Sequence, residues 1–320
     1  MKKIKLILLL VILSFTLTGC TRFLTDAENN AVINEETGQR LPLNILCRPA
    51  DQTILDLYVE HADQAGFDVN ELPRCENMRL FDANRENGLW DQLFVIPLSW
   101  YITRLALIVG NYGIALMLAG IAIRIILTPL TLKMIKQSEN MKKAKPEMDL
   151  LEKKYKNKKD QESNMKKGQE MMAIYKKHNV SMVGSCLNTF LQLPLFLAFL
   201  GAINRTPAIF EETLWTLQLG TTPWVGIQAG NYLYLVLIIL LIVTTYLSFK
   251  FNMTMMGNSD QQRQMKFVLN IMLIFISFAS FTLPTAIGLY WVVSSAFMVV
   301  TNFIFKRPKE LLEKVKPKLK

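Results

Sequence analysis

Histidine and cysteine are nearly missing from this 320-residue chain. It has two histidines, His61 and His178, and four cysteines, Cys20, Cys47, Cys75 and Cys186. No pair of these has the spacing of a metal site, so a structural zinc or an iron–sulfur centre is excluded as an organising element. Acidic residues are missing from the long apolar windows. Leu105–Ile123, His178–Asn204, Thr213–Phe249 and Phe267–Phe305 hold no Asp, Glu, Lys or Arg. No buried base or proton carrier is therefore on offer for intramembrane hydrolysis or proton coupling. A GxxxxGK[ST] phosphate loop is absent, which removes the usual nucleotide motor. No repeat recurs at a fixed period, which argues against a transporter built from duplicated halves. The chain reads as neither an enzyme nor a cofactor carrier.

What is present is apolar length. The chain is 51% hydrophobic with a net charge of +10. Windows of this length identify an integral membrane protein of the helical kind. The stretch Gly113–Leu132 stands out, because Arg124 is its only charge. Twenty such residues cover a bilayer core of roughly 30 Å, and Arg124 lies roughly 12 Å from the Leu132 end. An arginine near mid-membrane costs roughly 2.5–3.5 kcal/mol on insertion scales. It cannot shed its proton. Polar surroundings are therefore expected: water, a carboxylate or carbonyls. The plainer reading is snorkelling to the headgroups, over a distance longer than one arginine comfortably covers.

The ends of the chain carry other signals. Residues 1–19 read as an export signal, with Lys2, Lys3 and Lys5 before the short apolar core Leu6–Phe15. They end in Leu17-Thr18-Gly19-Cys20, which resembles a bacterial lipobox. The resemblance implies a diacylglyceryl group, and hence palmitate-type chains, on the Cys20 thiol, anchoring the new N-terminus to the outer leaflet. Residues 20–88 are then an extracytoplasmic segment, mixed and mostly polar. Their few apolar positions argue against an independent core. Thr53–Gly66 is expected to hold a short helix with Ile54, Tyr58 and Ala62 on one face. Cys47 and Cys75 face an oxidising side, which permits a disulfide as well as two free thiols.

Trp90–Ile108 has Trp90, Leu93, Phe94, Pro97, Tyr101 and Leu105 at helical spacing. It is expected to be an amphipathic helix on the outer surface. Residues 133–177 carry 14 Lys against 7 acidic residues, whereas 204–230 carry one basic residue, Arg205, and the pair Glu211 and Glu212. This asymmetry places 133–177 in the cytoplasm. Within that loop Met141, Ala144, Met148, Leu151 and Tyr155 form a seam for a partner helix. The partner is expected around Glu162–Lys177, offering Met165, Met172 and Tyr175, in an antiparallel hairpin whose first arm Pro146 starts or kinks. Further spans are expected at 181–203, 231–249 and in 267–305, the last folded back at Pro284. That gives five spans in an all-α membrane protein, N-terminus outside and C-terminus inside. Residues 307–320 form a basic cytoplasmic tail.

The pattern resembles the YidC/Oxa/Alb family of membrane protein insertases over about residues 90–306. The resemblance is carried by Asn111-Tyr112-Gly113 leading to Arg124, by Pro129-Leu130-Thr131, by Pro146-Glu147, and by Met171, Met172, Tyr175 and Lys176. Gln192-Leu193-Pro194 and Pro284 with Gly288-Leu289-Tyr290-Trp291 complete it. A lipobox with five spans is like the Gram-positive form. Two positions depart from the pattern: Ser294-Ser295 replaces a frequent Ser-Asn, and Gly120 stands where some members have a hydroxyl.

The resemblance implies an 89–306 insertase core in the bacterial cell membrane, with a hydrated, positively charged groove. Arg124 would sit at its centre, lined by Gln192, Trp291 and Tyr290. It implies nascent membrane proteins as clients, and the ribosome, membrane lipids and the Sec translocon as candidate partners. No cofactor is implied beyond lipid at Cys20. Gln192, Tyr290 and Trp291 read equally well as packing residues. An anion-binding transporter or channel is the competing class, since an intramembrane arginine suits an anionic solute. A structural or chaperone partner of another translocon is the third.

Overall fold

The structure is a computed structural model that describes residues 23–65, 67–80, 88–157, 160–180, 182–253 and 260–315. The export-signal residues, Cys20 and the last five residues of the basic tail lie outside the described residues. The chain is mostly helical. Its longer helices are α1 (Gln52–Glu60), α2 (Ile96–Val109), α3 (Tyr112–Tyr155), α4 (Gln161–Lys177), α5 (Met182–Arg205), α6 (Leu233–Met253), α7 (Asp260–Thr282) and α8 (Thr285–Val315). Among the described residues four helices are long and apolar enough to cross a membrane: Asp91–Val109, Tyr112–Tyr155, Leu233–Lys250 and Thr285–Ile304. Leu269–Thr282 is a shorter apolar helix. The break at Pro284 falls where the sequence predicts it, because proline cannot continue the ladder of the helix before it.

The chain divides into two compact units. The first holds the residues up to Gly120, Pro194–Ile238 and Ser280–Trp291. The N-terminal segment belongs to it. A two-stranded ribbon, β1 (Ile33–Asn34) with β2 (Gln39–Arg40), is closed by Gly38 at φ +65. Asp51 caps α1 by accepting from the Ile54 N–H at 3.0 Å. Ile54 and Tyr58 face inward, as their spacing predicts, and the Tyr58 hydroxyl donates to the Pro42 carbonyl at 2.5 Å.

The segment has a core, but not one made from its own residues alone. Leu24, Val32, Leu41, Ile45, Ile54, Leu55, Tyr58 and Val69 are buried together. The cluster is completed by Phe210, which comes from the loop after α5. The segment is thus short of apolar residues by itself and borrows one from far along the chain. Cys47 and Cys75 are joined in a disulfide, Cα atoms 4.8 Å apart, which resolves the choice the sequence leaves open.

Helix α2 is preceded by a π-helical turn at Asp91–Val95 and ends at Gly110, whose left-handed φ of +76 closes it onto the Ala106 carbonyl. A separate helix therefore precedes α3. Length and composition permit a crossing as well as a surface position. The face picked out by Trp90, Leu93, Phe94, Pro97, Tyr101 and Leu105 is not the buried one. Leu93 and Phe94 are exposed, with Trp90 against Phe94 at 4.5 Å, while Val95, Ile96, Leu98, Ser99, Ile102, Thr103 and Ala106 are buried, so both sides of this stretch are largely apolar. In lipid the apolar side of a helix has no reason to turn toward protein.

Between α5 and α6 runs a compact loop. It contains a hairpin of β3 (Thr213–Leu214) and β4 (Leu217–Gln218) and a helical turn at Pro223–Gln228. Within the same unit the loop is tied to the first turn of α8. Thr285 N–H donates to the Thr221 carbonyl at 2.9 Å and Ala286 N–H to that of Leu219 at 3.0 Å.

The second unit holds Ile121–Leu193, Ile239–Ala279 and residues from Val292 onward. Here α3 runs on without interruption past Pro129 and Pro146 to Tyr155. Pro146 therefore does not start the hairpin's first arm, and the boundary expected at residue 133 lies inside one helix. The seam itself is buried: Met148, Leu151 and Tyr155 pack with Tyr175, Met141, Met171, Ile174 and Val180, and Ala144 is buried too. Burying each such large side chain contributes roughly 1.5–3 kcal/mol.

On α4, Tyr175 faces the seam as expected. Met165 and Met172 do not, being 63% and 50% exposed; Met171 and Ile174 take their place. Asp160 caps α4 at the Ser163 N–H, 2.8 Å away. Ion pairs Lys154–Glu170 and Lys177–Glu147 clip the two arms on the outside. Helix α8 extends to Val315, so the expected tail begins as helix.

Candidate functional site

Arg124 lies on α3 within the second unit and is 8% exposed. Its backbone is unremarkable for a helix, and the Thr128 hydroxyl folds back onto its carbonyl at 2.9 Å. Two other helices meet its side chain. The Nε donates to the Ser294 hydroxyl on α8 at 2.6 Å, and Nη2 donates to the Gln192 Oε1 on α5 at 2.5 Å. One planar fork thus joins three helices, which suits arginine better than a flexible ammonium. Neither acceptor carries a formal charge. These two bonds satisfy donors and supply no counter-ion themselves.

Arg124 and Gln192, which the family resemblance assigns to one groove, are in hydrogen-bond contact. Ser294 was visible only as part of a departure from a family pattern. A serine inside a helix has no mark of its own, because its hydroxyl more often bonds its own helix backbone. Its place here is given by the fold, 170 residues from Arg124 in sequence.

Tyr290 and Trp291 belong to the first unit, where each has an aromatic partner on α5. Tyr290 is buried and stacks on Phe199 with ring centroids 3.8 Å apart and planes 18° apart. Trp291 meets Phe196 edge-on at 5.1 Å. The Tyr290 ring also lies against Gly120 on α3, where a Cβ would come within 3.2 Å of its Cδ2. These two aromatics therefore join α5 to α8 by packing. Cys20, the expected lipid site, lies outside the described residues.

A second polar site holds the first unit together. Arg205, the last residue of α5 and the sole Lys or Arg of 204–230, pairs with Asp91 at 2.7 Å, and both side chains are almost wholly buried. Its Nε donates to the Asn44 carbonyl at 2.7 Å, and its own carbonyl accepts from the Leu46 N–H at 2.7 Å. Nearby, Glu211 accepts from the Ala50 N–H at 3.1 Å. Burial holds the Glu211 carboxyl above its ordinary pKa, and the amides of Ala50 and Asp51 pull the other way.

Comparison with known proteins gives a consistent picture. The family model described as 60Kd inner membrane protein matches residues 104–313. The chain is 37% identical over 220 residues to the membrane protein insertase MisCA of Bacillus subtilis, covering 68% of this chain and 80% of that one. It is 34% identical over 222 residues to the membrane protein insertase YidC 2 of Listeria innocua, covering 69% and 73%. A crystal structure of an active YidC insertase with its first transmembrane domain resolved aligns at 20% identity and a TM-score of 0.48, covering 78% of this chain. This chain spans about half of its length, 52%.

Proposed function

The chain belongs to the 60Kd inner membrane protein family, that of the YidC/Oxa/Alb insertases, and on that premise we propose that it inserts client transmembrane segments through a polar intramembrane groove centred on Arg124. The observation that carries the reading is the bonding of Arg124. Its guanidinium is fixed between Ser294 on α8 and Gln192 on α5, which sets a buried cation where three helices meet.

A client's short extracytoplasmic tail must leave water before its apolar segment can reach lipid. A fixed cation at low dielectric attracts an acidic or polar tail more strongly than the same cation in water. The apolar segment then moves into lipid, and its transfer supplies the free energy. No nucleotide is consumed.

On this reading five helices cross the bacterial cell membrane: the first part of α3, then α5, α6, α7 and α8. The N-terminus is outside, lipid-anchored at Cys20, and α2 lies at the outer surface. The α3–α4 hairpin and the basic end of α8 are cytoplasmic, where their lysines suit contact with ribosomal RNA. Action alone or beside the Sec translocon is compatible with this arrangement.

The test is reconstitution of the purified protein alone in liposomes with a single-span client bearing a short tail. Protease protection of the client tail is the expected result. Flux of a small anion without client protection would instead support a transporter.

A further inference from the structure

One feature outside the Arg124 site has no part in the proposed function. Trp215 stands at the tip of the β3–β4 hairpin and is 81% exposed. Its φ is +56, at the first central position of a two-residue turn. That position normally takes glycine, and a bulky residue there costs roughly 1–3 kcal/mol. The flanking Leu214 and Leu217 point inward and are buried, so the hairpin has its own packing without the tryptophan.

The turn is held from both sides by the beginnings of two apolar helices. Asn111 precedes α3 and caps it by accepting from the Ile114 N–H at 3.1 Å; its amide donates to the Thr213 carbonyl at 2.9 Å. Asn231 precedes α6 and accepts from the Leu233 N–H at 3.1 Å; its amide donates to the Thr216 carbonyl at 2.7 Å and to the Thr216 hydroxyl at 3.1 Å. The residue between those two carbonyls and beside the second is Trp215. Both helices are long and apolar enough to cross a membrane. Tyr112 opens α3 and Tyr232, 69% exposed, immediately precedes α6.

We infer that Trp215 is a membrane anchor that enters the lipid headgroup layer at the level where α3 and α6 begin. The two asparagines fix the height of the turn relative to those helix starts, and a tryptophan at that height has an apolar ring and one N–H donor to divide between lipid and water. No Lys or Arg lies in 206–230, so the attraction is to the interface itself and not to anionic headgroups. The strained φ is tolerated because the anchor holds the loop between α5 and α6 against the membrane surface.

The inference rests on α3 and α6 crossing the membrane, and its test separates the two ideas. The full chain and its Trp215→Phe variant are reconstituted in phosphatidylcholine vesicles containing nitroxide-labelled lipid. The fluorescence lost in the variant is the Trp215 component. It should be quenched more by a headgroup nitroxide than by one near the chain end, and equally with and without phosphatidylglycerol. A Val243→Trp variant, ten residues or about 15 Å into α6, should show the reverse order. Trp215 emission quenched by aqueous iodide and indifferent to lipid nitroxide, with Val243→Trp still quenched from the chain end, overturns the anchor. Emission protected from both quenchers overturns it in favour of a second protein covering the tip. Loss of chain-end quenching at Val243→Trp overturns the crossing of α6, and the anchor with it.

Discussion

Gly120 lies directly against the ring of Tyr290: a Cβ on the glycine would sit 3.2 Å from Cδ2 and 3.6 Å from Cε2. Tyr290 is itself stacked on Phe199. The absence of a hydroxyl at this position, a departure in sequence terms, is thus matched by an aromatic that uses the space. Gly120→Ala should cost about 1–3 kcal/mol through overpacking. Gly120→Ser should cost at least as much. Thermal unfolding in detergent measures both. Because Phe199 packs on the same ring, Phe199→Leu combined with Gly120→Ala should show a non-additive loss in a double-mutant cycle. Strict additivity would mean that the three residues are not one packing unit.

The Asp91–Arg205 pair is buried, so removing one partner strands the other charge. Asp91→Asn should destabilise by about 3–5 kcal/mol. Replacing both together, as Asp91→Leu with Arg205→Met, should cost much less, offset in part by the lost Asn44 contact. Unfolding of the two variants in one detergent decides it. Equal losses in both would show that the double replacement relieves no stranded charge, and that the pair is not what holds this site.

Cys47 and Cys75 close a loop over 28 positions. Replacing both by serine should cost the N-terminal segment about 3–4 kcal/mol through loop-closure entropy. Limited proteolysis should then cut within residues 23–80 while the membrane-embedded helices stay intact. Unchanged protection would show that the Phe210-completed core suffices without the staple.

Glu211 gives the same segment a pH dependence. Its folded pKa is raised, chiefly by burial, so folding favours the protonated form. That stabilisation is fully present below the ordinary carboxylate pKa and is lost as pH rises through the raised folded value. Docking of the segment should therefore tighten on mild acidification, and Glu211→Gln should flatten the profile. Protease sensitivity of residues 23–80 across that window measures it. A segment that loosens on acidification in the native protein would contradict this sign.

Much of the fold is legible in the sequence because a periodic face or a breaker marks it. The α3 seam from Met141 to Tyr155 recurs at helical spacing, and Pro284 ends a helix whatever surrounds it. Met165 and Met172 mislead because residue type alone does not give the face shared with Tyr175. The inward face of α2 is hidden for a different reason. When lipid is as apolar as the core, Leu107 and Ile108 can face out while Ser99 and Thr103 face in beside Leu98 and Ile102. The N-terminal core escapes a local reading because Phe210 comes from another part of the chain. At the Arg124 site the charge and the Gln192 amide announce themselves in apolar runs, whereas Ser294 is one hydroxyl among many.

The measurement that bears most directly on the central claim is insertion of paired clients differing only in tail charge, with protein level measured alongside. Arg124→Lys keeps the cation but not the fork, so it should lower both clients alike and spare the acidic tail the extra loss seen in Arg124→Ala. Arg124→Ala should fail most with the acidic tail, and Arg124→Glu should be worse still for it, because like charges meet at low dielectric. Replacing the neutral acceptors, as Gln192→Leu with Ser294→Ala, leaves the charge and should reduce both clients alike. The contrary result is a loss in Arg124→Lys equal to that in Arg124→Ala, following protein level and indifferent to tail charge. That would make Arg124 a structural fork between helices and not the partner of a client.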